Sequence, residues 1–175
     1  MAYITKDVLD LLLNESTDTT YDVLKDMAIA AAENIVKDYL GYDPALATYN
    51  ETFFGYGYAE IQLNAKPITE LLSVTIDGVS QSVDSFYTRN EMLGLKSGVF
   101  PLNSVIAVEY KAGYTTIPGA IQDVALRIAA LKMSEVGNVG ITGKSSDNGG
   151  SKTFISTTNF TKYLNDLSGL RILRL

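Results

Sequence analysis

Asp22, Asp26 and Glu33 are spaced four and seven residues apart, which on a helix puts all three on one side. Carboxylates grouped in this way can bind a divalent cation or serve as an acid/base pair, provided they are partly buried and meet converging partners. The alternative is a solvated helix face on which Lys25 and Lys37 pair with them. No acid pair stands out with a reason for a raised pKa, and this disfavours a carboxylate-driven hydrolase. The chain has no Cys, no His and no Trp, so disulfides, thiolate nucleophiles, Cys/His zinc sites and imidazole bases are all excluded. No catalytic residue, cofactor or metal is expected.

The segment Asn138-Val139-Gly140-Ile141-Thr142-Gly143-Lys144-Ser145 has the flavour of a phosphate-cradling loop but fails its geometry. Asn138 stands where the first Gly belongs, the segment follows a helical pattern instead of a strand, and Gly149-Gly150 come where a helix should run. The stretch from Tyr49 to Tyr58 holds five aromatics. If it is extended, Phe54, Tyr56 and Tyr58 point to one face and Gly55 and Gly57 leave the other bare, which suits hairpin packing, a protein interface or stacking on a sugar. The end of the chain, Leu170-Arg171-Ile172-Leu173-Arg174-Leu175, must either fold back on the core or insert into another subunit, because chain termini are ordinarily polar.

Several elements must position these residues. Residues 1–44 read as two helices: a short one capped by Thr5, and a long one from Thr20 to Leu40 with Leu24, Met27, Ala28, Ala31, Ile35 and Tyr39 as its apolar stripe. Over residues 45–115 the period becomes 2. Ala59, Ile61 and Leu63, then Leu72, Val74 and Ile76, then Ile106, Val108 and Tyr110 alternate with polar residues as half-buried antiparallel strands. Asp77-Gly78 marks a tight hairpin, and Phe86-Tyr87 and Val99-Phe100 read as further strands, for about five to seven in all.

Residues 116–136 form a central helix that starts at Pro118 and buries Ile121, Val124, Ala125, Ile128 and Leu131. Residues 137–157 are rich in Gly and Ser and read as a flexible loop; a short helix and the apolar tail complete residues 158–175. The expected fold is α+β in a single domain. Its helical core comprises the N-terminal pair, the long central helix and the short C-terminal helix, with a small antiparallel β region inserted.

The net charge of −6 hides a gradient. Residues 1–44 carry nine acids and three bases, residues 45–136 nine and six, and residues 137–175 two and five. Most of such a chain repels DNA, which argues against wrapping of nucleic acid. No leader or membrane span is legible, and the expectation is a protein that stays in the compartment where it is made.

The order of these pieces resembles the head-tail connector, or adaptor, family of tailed bacteriophages and related gene-transfer particles. The resemblance spans about residues 5–136. It is carried by Asp22-Val23-Leu24-Lys25-Asp26-Met27-Ala28-Ile29-Ala30-Ala31-Ala32-Glu33 running to Tyr39-Leu40-Gly41, by Leu63-Asn64-Ala65-Lys66-Pro67-Ile68 ahead of Val74-Thr75-Ile76-Asp77-Gly78, and by Val108-Glu109-Tyr110-Lys111-Ala112-Gly113-Tyr114 leading through Ile117-Pro118 into the central helix. It implies a structural virion protein and not an enzyme. Copies, usually twelve, close a ring beneath the portal, extend the DNA channel and dock the next neck or tail-completion protein. DNA passes through without specific binding and no membrane is involved. Assembly takes place in the host cytoplasm and the product is part of the virion.

On this view Leu170 to Leu175 together with Phe54, Tyr56 and Tyr58 are the candidate partner interface, and Asp22, Asp26 and Glu33 are the candidate channel-facing acids. The competing expectation is a small β-rich module of a virion or surface protein that holds a saccharide or peptide on Tyr49 to Tyr58.

Overall fold

A computed structural model describes residues 3–14, 21–134, 143–145, 151–153 and 160–173. The chain divides into two compact units: residues 1–39 with 118–171, and residues 40–117 with 172–175.

The first unit is helical. Helix α1 (Lys6–Leu13) is followed by α2 (Asp22–Leu40) and, after the second unit, by α3 (Gly119–Ser134), a short two-stranded ribbon of β8 (Gly143–Ser145) and β9 (Ser151–Thr153), and α4 (Thr161–Leu164), which runs into a 3-10 turn at Asn165–Leu170. Pro118 opens α3 by accepting hydrogen bonds from the Ile121 and Gln122 N–H groups, where a proline's missing donor costs nothing. The helix buries Ile121, Val124, Ala125, Ile128 and Ala129, close to the expected face, and α1 and α4 pack on it.

Helix α2 departs from its expected face. Its buried positions are Lys25, Ala28, Ile29, Ala32, Val36 and Leu40; Ala28 belongs to the expected stripe, while Met27 and Leu24, also assigned to it, are exposed. The shift of about one residue follows from Lys25, whose ammonium meets Asp10 of α1 at 2.6 Å and is thereby drawn inside.

The second unit contains seven strands in two antiparallel sheets. These are β1 (Ala47–Phe54), β2 (Glu60–Gln62), β3 (Ile68–Ile76), β4 (Val79–Gln81), β5 (Phe86–Arg89), β6 (Met92–Leu95) and β7 (Val105–Ala112). One sheet has the order β1-β7-β3-β4 and the other β2-β6-β5. Strand β7 is the centre of the larger sheet and alternates as expected, with Ile106, Val108, Tyr110 and Ala112 inside. The β3–β4 turn is the tight hairpin that Asp77-Gly78 called for, both residues having positive φ (51° and 78°).

These sheets overturn the expected helical core with a small β insertion. The strand segments carry enough inward-facing apolar residues to close a core of their own, in which Leu63, Val74, Leu93, Ile106 and the stacked pair Phe86–Phe100 are buried. Phe100 contributes to that core from a loop and not from the strand expected at Val99-Phe100, and β6, which is not among the strands expected from the sequence, supplies Leu93.

Candidate functional site

Strands β1 and β2 follow one another in the chain yet do not pair. Each is the end strand of its own sheet. The space between them is a groove of about 520 Å³, walled by Thr52, Phe53 and Phe54 on one side and by Glu60, Ile61 and Gln62 on the other, with Tyr56, Tyr58 and Met92 completing it. Groove formation traces to Gly55 and Gly57. The Gly55 N–H donates to Ser104 O and its carbonyl accepts from Asn103 N–H, both at 2.8 Å, which ends β1; Gly57 then takes a φ of +77° and turns the chain away.

The three aromatics singled out in the sequence share this groove through a bend at Gly55 and Gly57. Phe54, Tyr56 and Tyr58 are 58%, 69% and 70% exposed, a large apolar area left in water. The groove's single carboxylate, Glu60, accepts a 2.5 Å hydrogen bond from Tyr87 Oη, and this bond pushes the Tyr87 phenol above its ordinary pKa. Among the lining residues there is no Lys or Arg. Thr52, Gln62 and Met92 were not singled out in the sequence, since their role depends on which strand ends its sheet.

The acids of α2 meet one lysine and one backbone donor. Asp26 and Asp22 lie 3.2 and 3.5 Å from Lys6 Nζ, which raises the lysine's pKa, chiefly through the Asp26 hydrogen bond. Glu33 accepts the Tyr3 backbone N–H at 2.5 Å. Asp22 and Asp26 thus meet Lys6, and Glu33 meets Tyr3. Among the described residues no group of acids, His or Cys could hold a metal ion, and no helix is long and apolar enough to cross a membrane.

The tail is divided in its behaviour. Ile172 is buried and its N–H donates to Leu40 O at 2.9 Å, whereas Leu173 is exposed and its carbonyl accepts from Gln62 Nε2 at 2.9 Å. The Arg171 guanidinium stacks 4.9 Å from the Tyr39 ring, and Leu170 is half-buried. Arg174 and Leu175 lie outside the described residues, as does most of the Gly/Ser-rich stretch.

Behind the groove, β1 is fastened to β7 by Tyr110, whose ring stacks on Tyr49 at 5.4 Å and whose hydroxyl donates to Glu51 Oε1 at 2.9 Å. Burial, reinforced by the Glu51 charge, pushes the Tyr110 phenol well above the tyrosine range; burial does the same to Tyr42. A raised folded-state value means that the neutral phenol stabilises the fold below the unfolded tyrosine pKa of about 10, and that this stabilisation is lost as pH climbs above it. The expected result is a urea midpoint that is steady to about pH 9 and falls beyond pH 10. Tyr110→Phe should lower stability at pH 7 by about 1–3 kcal/mol, through the lost bond to Glu51, yet flatten the alkaline decline. An equally steep decline in that variant would rule out Tyr110 as its source.

The fold defined by these units is an α+β pairing of a helical unit with a two-sheet antiparallel unit. A chain in the neck of an empty gene transfer agent (GTA) particle, computed with C6 symmetry, has a similar fold: TM-score 0.64 at 11% identity, covering 99% of this chain and 91% of that one. A chain in the virion of a native GTA particle is similar to the same degree, with TM-score 0.64 at 9% identity over 97% of this chain and 89% of that one. No family model and no curated protein matches the chain.

Proposed function

We propose that this protein is a structural component of the neck of a phage-like particle, a head-tail connector whose copies form a ring below the portal, extend the DNA channel and dock the next neck or tail protein. The observation that carries this reading is the fold shared with a GTA neck chain over nearly the full length of both. Two features of the chain support it. Apolar side chains are exposed on both units, among them Leu11 (82%), Val23 and Met27 of the helices and Phe54, Tyr56 and Tyr58 of the groove, which suits a protein that finishes its burial by association. The residue inventory lacks the usual nucleophile and base pairs.

In this reading Leu173, which is exposed, the Arg174 and Leu175 that follow it in the sequence, and the groove aromatics meet partner proteins. Asp22, Asp26 and Glu33 face the channel, where acids let DNA slide without holding it. The protein works inside the virion after assembly in the host cytoplasm.

The test is electron microscopy and mass measurement on purified protein, alone and mixed with portal-bearing heads. Annular assemblies of uniform size are expected in at least one of the two. A protein that stays monomeric in both, and binds a saccharide saturably through Tyr56 and Tyr58, would be a binding module instead. A ring with the α2 acids on its outer surface would remove them from the channel.

A further inference from the structure

We propose that the groove between β1 and β2 receives, as an added strand, one strand of the β8–β9 ribbon from a neighbouring copy of the same chain. The inference rests on the ring-forming reading above and names the contact by which the copies join.

The groove is built to take a strand. Both of its walls are end strands, so each presents backbone N–H and C=O groups on a side with no sheet neighbour. An extended segment laid there makes main-chain hydrogen bonds to a wall, and its alternate side chains fall against Phe54, Tyr56 and Tyr58, the exposed rings that nothing in the described chain covers. At about 520 Å³ the groove is within the ordinary range of binding clefts.

The chain itself carries a segment of matching form. Among the described residues β8 and β9 pair only with each other, and each keeps an outer edge free. A two-stranded ribbon of this kind is marginal in water until a further strand joins it. Each of its strands is three residues long, the length of β2. The charges are complementary as well: the groove has Glu60 and no cation, whereas Gly143-Lys144-Ser145 and Ser151-Lys152-Thr153 have one lysine each and no acid.

Both halves of the contact thus lie in one sequence, the groove in the second unit and the ribbon in the first, and with the ring-forming reading this argues for a second copy as the occupant over an unrelated protein. A contact between two different patches of identical chains is head-to-tail, and repetition of such a contact closes a ring when the rotation permits.

The absence of cysteine from the chain allows a direct test. Two single-cysteine variants, Thr52→Cys in the groove wall and Lys152→Cys in β9, are prepared with different tags, mixed at high concentration and on portal-bearing heads, and oxidised. Disulfides form only where the Cα atoms come within about 7 Å, so a linked heterodimer reports docking between chains. Its yield should exceed by roughly tenfold that of a control pair in which Val79→Cys, exposed on the far edge strand β4, replaces the groove variant. Adding Tyr56→Glu and Tyr58→Glu, both at exposed positions, should abolish the crosslink while the monomer keeps its unfolding midpoint. Rings that form with no more crosslink than the control would overturn the ribbon-in-groove contact and leave the ring reading standing. A third variant carrying both Thr52→Cys and Lys152→Cys that links only within its own chain, with no heterodimer from the single variants, would overturn insertion into a neighbour. Absence of both rings and crosslink would overturn the two readings together.

Discussion

Asp10→Ala should cost about 3–5 kcal/mol of stability, a large share of what a domain of this size has to lose. Asp10 lies in α1 and its Oδ1 is 2.6 Å from Nζ of Lys25, a fully buried side chain in the first turns of α2. Removing the carboxylate takes away the counter-charge that lies 2.6 Å from a fully buried ammonium, and much of the desolvation cost of that charge is then left unbalanced. The reverse change should be milder. Lys25→Met keeps the long unbranched stem and leaves behind an aspartate that is 14% exposed and reachable by water. Asp10→Leu combined with Lys25→Met should restore stability to near the parent value, since replacing both members of a buried pair by apolar groups of similar volume is often neutral or better. Urea unfolding of the three variants with an unchanged m-value checks this order. Equal losses of under 1 kcal/mol in both single variants would mean that the pair is effectively solvated.

The same pair explains the part of the helical unit that sequence reasoning misplaced. A lysine on an amphipathic pattern is assigned to the wet side, and the apolar spacing of Leu24, Met27, Ala28, Ala31, Ile35 and Tyr39 leaves Lys25 off the stripe. The buried line keeps Ala28 but otherwise runs through Lys25, Ile29, Ala32, Val36 and Leu40, because Asp10, fifteen positions before Lys25, makes the inside habitable for a charge. Nothing local to α2 signals that partner.

In the β unit the period of 2 was legible wherever one face is buried, as along β7, and the Asp77-Gly78 turn fixed β3 and β4. Strand β6 was not legible. In Met92-Leu93-Gly94-Leu95 the glycine reads as a turn, but it sits across from Tyr87 of β5, and the tyrosine ring fills the space that a side chain at 94 would need. The groove was half legible: Phe54, Tyr56 and Tyr58 were marked by their density, while the second wall depended on which strands end their sheets, a property of topology that periodicity does not carry.

The run Tyr110-Lys111-Ala112-Gly113-Tyr114, on which part of the resemblance rested, has a physical reason at each of its marked positions. Tyr110 is buried against Glu51 and Tyr49, and Ala112 is buried at the end of β7. Gly113 lies where the chain leaving β7 passes the chain entering β1: its N–H donates to Pro67 O at 3.0 Å, and the next residues exchange bonds across the crossing, Tyr114 N–H to Pro44 O at 2.8 Å and Leu46 N–H to Tyr114 O at 3.1 Å. A Cβ on residue 113 would stand 2.5 Å from Ala45 O and 2.9 Å from Leu46 N, which are backbone atoms and cannot swing aside, and its φ of +107° is one that side chains rarely adopt.

Gly113→Ala should therefore cost about 3 kcal/mol or more, from strained backbone and a forced separation of the two strands' ends together. Gly119→Ala, at the first residue of α3 with open space around its would-be Cβ, should be neutral or stabilising by up to about 1 kcal/mol. The pair of glycines separates the crossing from a general intolerance to substitution. Chemical denaturation of both variants, followed by near-UV circular dichroism of the tyrosines, gives the comparison. If Gly113→Ala unfolds at the parent midpoint, the crossing is not the tight point that binds β1 to β7, and the β1 wall of the groove must be held by Tyr110 and its bond to Glu51 instead.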